Sequence, residues 1–454
     1  MPYIATNPAT GEIFARYEDF SEAEVDQRLE LATKGFEIWR NTSLEDRARH
    51  LITAAELLEG ELPNNAEVLS REMGKTFAAA KGEVSKCAMT LRYYAEHGAE
   101  LLAETSIPSP ASRSGIRYEP LGPVLAVMPW NFPLWQVIRF AAPALMAGNV
   151  AVLKHASNVP ESALLLESLF KRAGFPDGCF VNLFIPGSRV ADVIKDPRIA
   201  AVTLTGSEAA GVSVAAAAGS VLKKCVLELG GSDPFIVAHS ADFAKTIPMA
   251  VTGRVQNNGQ SCIAAKRFIV VESRADEFIE AFSKAMGELV VGDPMDPATN
   301  VGPLVSEAQR DEVAGQVADA LAKGAVATAG GAPIDGPGFF YQPTVLTNVT
   351  SEMRAGVEEI FGPVAVVYRV PDLDAAIALG NSTPWGLGSS IWAEDKAEQE
   401  AGIAGLEAGM VFVNAIVAST PELPFGGIKL SGYGRELSAV GMHEFCNQKT
   451  VFVA

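Results

Sequence analysis

Ten short apolar runs, separated by stretches of helical spacing, limit this chain to parallel sheets covered by helices. The first five are Val124 to Met128, Val150 to Leu153, Val181 to Phe184, Ala201 to Leu204 and Val226 to Leu229. The second series is Phe235 to Val237, Phe268 to Val271, Val364 to Tyr368, Ser389 to Trp392 and Met410 to Val413. Runs this short and this apolar suit strands buried on both faces, and parallel neighbours need a crossover segment to join them. An α/β chain with two parallel-sheet domains is expected. The passage between them falls near "LGGSDP", where Gly230 and Gly231 end one element and Asp233-Pro234 starts another.

Residues 22 to 105 read as a layer of helices, with Ser43 as an N-cap for "LEDRARHLITAAELLEGEL", and nothing chemical stands out in that layer. The tail "KTVFVA" alternates apolar and polar residues like an edge strand. With the alternating stretch Arg113 to Glu119 it suggests a small β arm for oligomerisation.

At 454 residues two or three domains are natural, and 48% hydrophobic residues supply a large core. A net charge of −18 repels phosphate backbones and anionic membrane surfaces, which argues against nucleic-acid and membrane partners. The opening "MPYIATNPATGEIF" has neither a basic nor an apolar leader segment, so an unexported, cytoplasmic protein is expected. Cysteines at 87, 179, 225, 262 and 446 form no Cys-x-x-Cys pair and the five histidines form no His-x-x-x-His pair, so neither disulfides nor a metal are expected.

Ligands of open parallel sheets lie at the carboxyl ends of the strands. There the sequence places "PWNFP", "KHASN", "IPGS" and "TGSEAAG", with Glu228 in the last run of the first series. Gly206-Ser207 leads a strand into a helix whose N-terminus can hold a pyrophosphate, although the Gly-x-Gly-x-x-Gly fingerprint is missing from that turn. Cys262, in "NNGQSCIAAKR", sits among small polar residues and reads as a nucleophile, whereas Cys87, Cys179, Cys225 and Cys446 read as buried and inert.

Four motifs in this order, "PWNFP", "LELGGSDP", "GQSC" and "EIFGP", resemble the aldehyde dehydrogenase superfamily, and the resemblance runs from "NPATGE" to "PFGGIKLSGYGRE". The variant "KHASNVP" is similar to bacterial succinate-semialdehyde dehydrogenases of about this length. The resemblance implies the aldehyde dehydrogenase fold: a cofactor-binding domain over 1–112 and 124–230, a catalytic domain over 231–425, and an oligomerisation arm over 113–123 and 433–454. It also implies a homodimer or homotetramer and NAD(P)-dependent oxidation of succinate semialdehyde to succinate through a covalent thiohemiacetal and thioester on a cysteine.

By the same resemblance Cys262 attacks the aldehyde. Asn131, otherwise an N-cap for the next helix, joins the oxyanion hole; Glu228, otherwise a solvent-facing strand residue, is the general base. Trp130, Lys154, Gly206, Ser207, Glu359 and Phe361 are implied at the cofactor. Ser157 stands where many NAD-preferring members have Glu, so no carboxylate repels a 2′-phosphate and NADP is expected over NAD. Trp135 and Arg139, four apart on one helix, face the substrate together with Ser261 and Ser419. Arg139 has two readings, a guanidinium for the distal carboxylate or an internal ion pair. Other small aldehydes, coenzyme A as acyl acceptor, a cofactor-free cysteine hydrolase and a binding protein without chemistry are the alternatives.

Overall fold

The computed structural model describes residues 2–454. Its first sheet has the spatial order Gly432–Tyr433, Lys224–Glu228, Ala201–Thr205, Pro123–Met128, Val150–His155, Phe180–Asn182. The last five are parallel. Numbered along the chain from Pro123–Met128, they run 5-4-1-2-3. This is a doubly wound sheet whose winding reverses between Pro123–Met128 and Ala201–Thr205, the position at which such sheets bind ligands. Gly432–Tyr433 returns from the far end of the chain and pairs antiparallel, Gly432 opposite Glu228.

The second sheet has the order Val326–Ala329, Thr344–Thr347, Val364–Val370, Arg267–Val271, Pro234–Val237, Gly388–Trp392, Met410–Val413. All its pairings are parallel except the first. The chain crosses from sheet to sheet between Glu228 and Pro234, at the paired glycines. Each of the ten apolar runs contributes to a strand. Two strands of this second sheet escape the sequence pattern: Val326–Ala329 reads VATA and Thr344–Thr347 reads TVLT, both too short and too polar to stand out.

The N-terminal layer forms the helices Glu22–Trp39, Leu44–Gly60, Leu62–Met73 and Phe77–Leu101. Ser43 caps the second, its hydroxyl accepting from the Asp46 N–H at 3.1 Å. The helix Trp135–Ala147 lies between this layer and the first sheet and is buried along its whole length, which explains its nearly unbroken apolar sequence. Cys446–Val453 pairs antiparallel with all of Arg113–Pro120, and Thr105–Ser106 completes a small separate sheet. No helix among the described residues is long and apolar enough to cross a membrane.

Candidate active site

The loop after Pro123–Met128 carries Trp130 and Asn131, and groups from three directions hold it. His155 is buried; its Nδ1 accepts from the Ala156 N–H at 2.9 Å, so Nε2 carries the proton and donates to the Pro133 carbonyl at 2.9 Å. Burial pushes this imidazole down to about 4, so it is neutral at physiological pH. Lys75 donates to the Asn131 carbonyl at 3.1 Å while ion-paired with Glu83. Glu83 accepts the Leu134 and Trp135 N–H groups, each at 2.9 Å, and so supplies from a neighbouring helix the cap that Trp135–Ala147 lacks. Asn131 is therefore not an N-cap. Its Nδ2 donates to the Gln260 carbonyl at 3.1 Å, and its backbone carbonyl accepts from Asn257 Nδ2 at 2.7 Å.

Those two bonds join it to the Cys262 loop. Asn257 and Asn258 take left-handed backbone angles, which asparagine tolerates better than most residues. Gly259 follows with φ +78°, and a Cβ there would lie 2.3 Å from the carbonyl carbon of Gly362. Only glycine fits. Buried Lys266 gathers the turn, donating to the carbonyls of Ser261 at 3.1 Å, Cys262 at 2.8 Å and Ala264 at 3.2 Å. The same ammonium pairs with Glu359 at 3.1 Å, and Glu359 accepts the Gly231 N–H at 3.2 Å.

Cys262 forms part of two cavities. One, of about 190 Å³, lies at the reversal of the first sheet and is lined by Trp130, Asn131, Thr205, Gly206, Ser207, Glu359 and Phe361. The other, of about 280 Å³, is bordered by Glu83, Lys86, Trp135, Arg139, Ser261 and Ser419. Cys262 and Gln136 belong to both walls. Burial raises the Cys262 thiol to about 11, with Arg139 and Lys266 opposing the shift.

The first cavity suits one end of a dinucleotide. Trp130 and Phe361 meet edge to face, their ring centroids 5.7 Å apart, and Ser207 caps the helix Glu208–Gly219, whose N-terminus favours negative charge. Lys154 and Ser157 stand at the carboxyl end of the adjacent strand, beyond this cavity; burial holds Lys154 below its usual pKa, and Ser157 is exposed. The Asp19 carboxylate opposes that shift of Lys154.

Glu228 is buried rather than solvent-facing, for its strand is flanked on one side by Ala201–Thr205 and covered on the other by Gly432–Tyr433. Neither carboxyl oxygen has a hydrogen-bond partner, and the group faces Gly426, on which a Cβ would lie 2.6 Å from Oε1. Burial and neighbouring Glu436 push its pKa well above the usual carboxylate range. It borders neither cavity in this conformation.

Arg139 takes the internal reading. It is ion-paired with Glu436, its Nη2 donates to Thr205 Oγ1 at 3.2 Å, and it lies 4.4 Å from the Phe425 ring centroid. It nevertheless borders the larger cavity beside Trp135, Ser261 and Ser419.

The helical layer, in which the sequence displayed nothing chemical, supplies Lys75, Glu83 and Lys86 to this region. Their spacing on Phe77–Leu101 is that of any amphipathic helix, and Lys75 sits just before it, so no local signal separates them from surface charges. The rule of carboxyl strand ends also holds for only half of the site. The second sheet presents Cys262 and Glu359 before the strands Arg267–Val271 and Val364–Val370. No cluster of His, Cys, Asp and Glu suited to a metal occurs among the described residues.

The aldehyde dehydrogenase family model matches residues 2–451. Succinate-semialdehyde dehydrogenase [NADP(+)] 1 of Mycobacterium ulcerans (strain Agy99) is 56% identical over 457 residues, covering 100% of both chains. Succinate-semialdehyde dehydrogenase [NADP(+)] of Mycobacterium avium (strain 104) is 55% identical, covering 100% of this chain and 97% of the relative. A crystal structure of succinic semialdehyde dehydrogenase from Streptococcus pyogenes in complex with NADP+ superposes with a TM-score of 0.97, at 39% identity and 99% coverage of each chain. A cysteine shared by two cavities, the doubly wound sheet that builds one of them, and a match along nearly the whole chain agree: this chain belongs to the aldehyde dehydrogenase family.

Proposed function

We infer that this protein oxidises succinate semialdehyde to succinate with NADP, and less readily with NAD, through a thioester on Cys262. The observation that carries this reading is the position of Cys262 between a cavity suited to a dinucleotide and a second, cation-lined one suited to a short anionic aldehyde. The full-length likeness to NADP-dependent succinate-semialdehyde dehydrogenases supports the choice of substrate and cofactor.

Trp130, Gly206, Ser207, Glu359 and Phe361 hold the nicotinamide side, and Lys154 with Ser157 the adenosine side. When bound, the cofactor accepts the hydride that leaves the substrate carbon. The Cys262 thiol loses its proton to solvent, its sulfur bonds to the aldehyde carbon as the C=O π bond opens, and Asn131 Nδ2, which has a second hydrogen beyond the one given to Gln260, donates to the developing oxyanion. Glu228, with no hydrogen bond to tie it to its rotamer, turns toward the thioester and takes a proton from the attacking water. Its raised pKa makes the carboxylate a stronger proton acceptor than an ordinary glutamate. Trp135, Arg139, Ser261 and Ser419 shape the substrate chamber. The strand pair of Arg113–Pro120 and Cys446–Val453 serves as the oligomerisation arm of a cytoplasmic homo-oligomer.

The test is to mix the protein with succinate semialdehyde and either NADP or NAD, and follow the near-ultraviolet absorbance of reduced nicotinamide. Faster reduction with NADP is expected, and no reduction with either cofactor overturns the reading.

A further inference from the structure

A carboxylate stands in the first turn of the helix whose N-terminus opens on the dinucleotide cavity. Ser207 caps the helix Glu208–Gly219 and borders that cavity with Gly206, and its hydroxyl accepts the Ala210 N–H at 3.4 Å. The N–H groups of Glu208 and Ala209, earlier in the same turn, have no intrahelical acceptor and suit a pyrophosphate. A carboxylate at this helix end is favourable while the site is empty and repels a diphosphate once one arrives. Glu208 nevertheless borders no part of the cavity, although Ser207 beside it does. Its Oε1 accepts the indole N–H of Trp385, 177 residues away. Trp385 lies in a two-residue strand, Trp385–Gly386, that precedes Gly388–Trp392 of the second sheet and pairs antiparallel with Ile428–Lys429. The hydrogen bond therefore reaches from the side of the second sheet to a helix of the first. No cation lies at ion-pair distance from Glu208 among the described residues, so its charge is not neutralised there.

We propose that Trp385 is a positioning residue for the cofactor: its indole N–H tethers the Glu208 carboxylate outside the cavity and leaves the helix N-terminus to the pyrophosphate of NADP or NAD. This rests on the reading of the cavity as the dinucleotide site. A freed carboxylate samples the end of its own helix, where its charge adds to that of the diphosphate. Because the diphosphate is common to both cofactors, the tether sets the affinity for the two alike and leaves their ratio to groups on the adenosine side, such as Ser157.

The test is isothermal titration of the ligand-free protein with NADP and with NAD, in the absence of aldehyde, for the wild type, Trp385→Phe, Glu208→Asp, Glu208→Gln and the double variant Trp385→Phe/Glu208→Gln. Phenylalanine keeps most of the aromatic surface and loses the N–H. Aspartate keeps the charge on a stem one methylene shorter, which withdraws it from the indole. The expected result is a roughly 3- to 10-fold rise in Kd for both cofactors in Trp385→Phe and in Glu208→Asp, a ratio to wild type that shrinks at high salt. Glu208→Gln and the double variant should bind no more than about twofold more weakly than the wild type, because the charge is gone. A loss in Trp385→Phe that persists in the double variant means that the indole only shapes the wall and overturns the proposal, as do an unchanged Kd in Glu208→Asp or a loss confined to NADP. Should Trp385→Phe fail to fold, Glu208→Asp against Glu208→Gln carries the comparison. A wild type that binds neither cofactor overturns the reading of the cavity, and this proposal with it.

Discussion

Lys266 lies 2.8 Å from the carbonyl oxygen of Cys262 and 3.1 Å from the carboxylate of Glu359, so one buried ammonium ties the cysteine turn to the opposite cavity wall. Lys266→Met removes the donor from three carbonyls and strands Glu359. The expected cost is about 3–5 kcal/mol of folding stability, read from the denaturant midpoint and slope. A change below about 1 kcal/mol, at the level of an exposed pair, would refute this role.

Asn131→Ala should leave folding intact, because the loop is held mainly through the Asn131 backbone carbonyl and the Glu83 cap. Turnover should fall by about 100- to 1,000-fold. Circular dichroism and steady-state kinetics check the two halves, and turnover within threefold of wild type would exclude Asn131 from the oxyanion hole.

Glu228→Gln should separate the two half-reactions. A burst of reduced nicotinamide near one equivalent per site should persist while the steady-state rate falls by at least about 100-fold. If burst and steady state slow together, Glu228 acts before the thioester forms.

Ser157→Glu places a carboxylate at an exposed turn beyond Lys154. Full interaction at ~4 Å would repel a 2′-phosphate by ~4 kcal/mol, and solvent screening reduces this. The expected outcome is at least a tenfold rise in KM for NADP (about 1.4 kcal/mol), with KM for NAD within threefold. An unchanged NADP-to-NAD ratio removes Ser157 from the explanation.

In the ligand-free protein the Cys262 thiol rises from its usual value near 9 to about 11. Alkylation by iodoacetamide should therefore accelerate about tenfold per pH unit from pH 7 to 10, with no plateau in that range. Because the folded value lies above the unfolded one, the contribution of this thiol to stability is fully present below pH 9. It is lost as pH rises from about 9 to 11. A plateau in alkylation below pH 8 would mean that the site already favours the thiolate.

The strand pattern was legible because a parallel strand buried on both faces must be almost wholly apolar, as in Pro123–Met128 and Arg267–Val271. Cys262 and Asn131 were visible as polar residues in short, distinctive settings. The Arg139–Glu436 pair was not, because its members are nearly 300 residues apart and meet only when Gly432–Tyr433 returns to the first sheet. Nor was the burial of Glu228: the strand that covers it is only two residues long and leaves no periodic signal. Lys86 remained hidden for a related reason, since its partner Ser419 lies 333 residues away in the sequence.

The close approach of Gly259 to Gly362 has a consequence for exchanging parts between relatives. The segment before Cys262 and the segment that carries Phe361 interlock backbone to backbone, without a side chain to absorb a misfit. They act as two halves of one casting. A chimera that imports either half alone inherits a mismatch of main chains, whereas one that transplants both together keeps the spacing on which the cysteine's position depends.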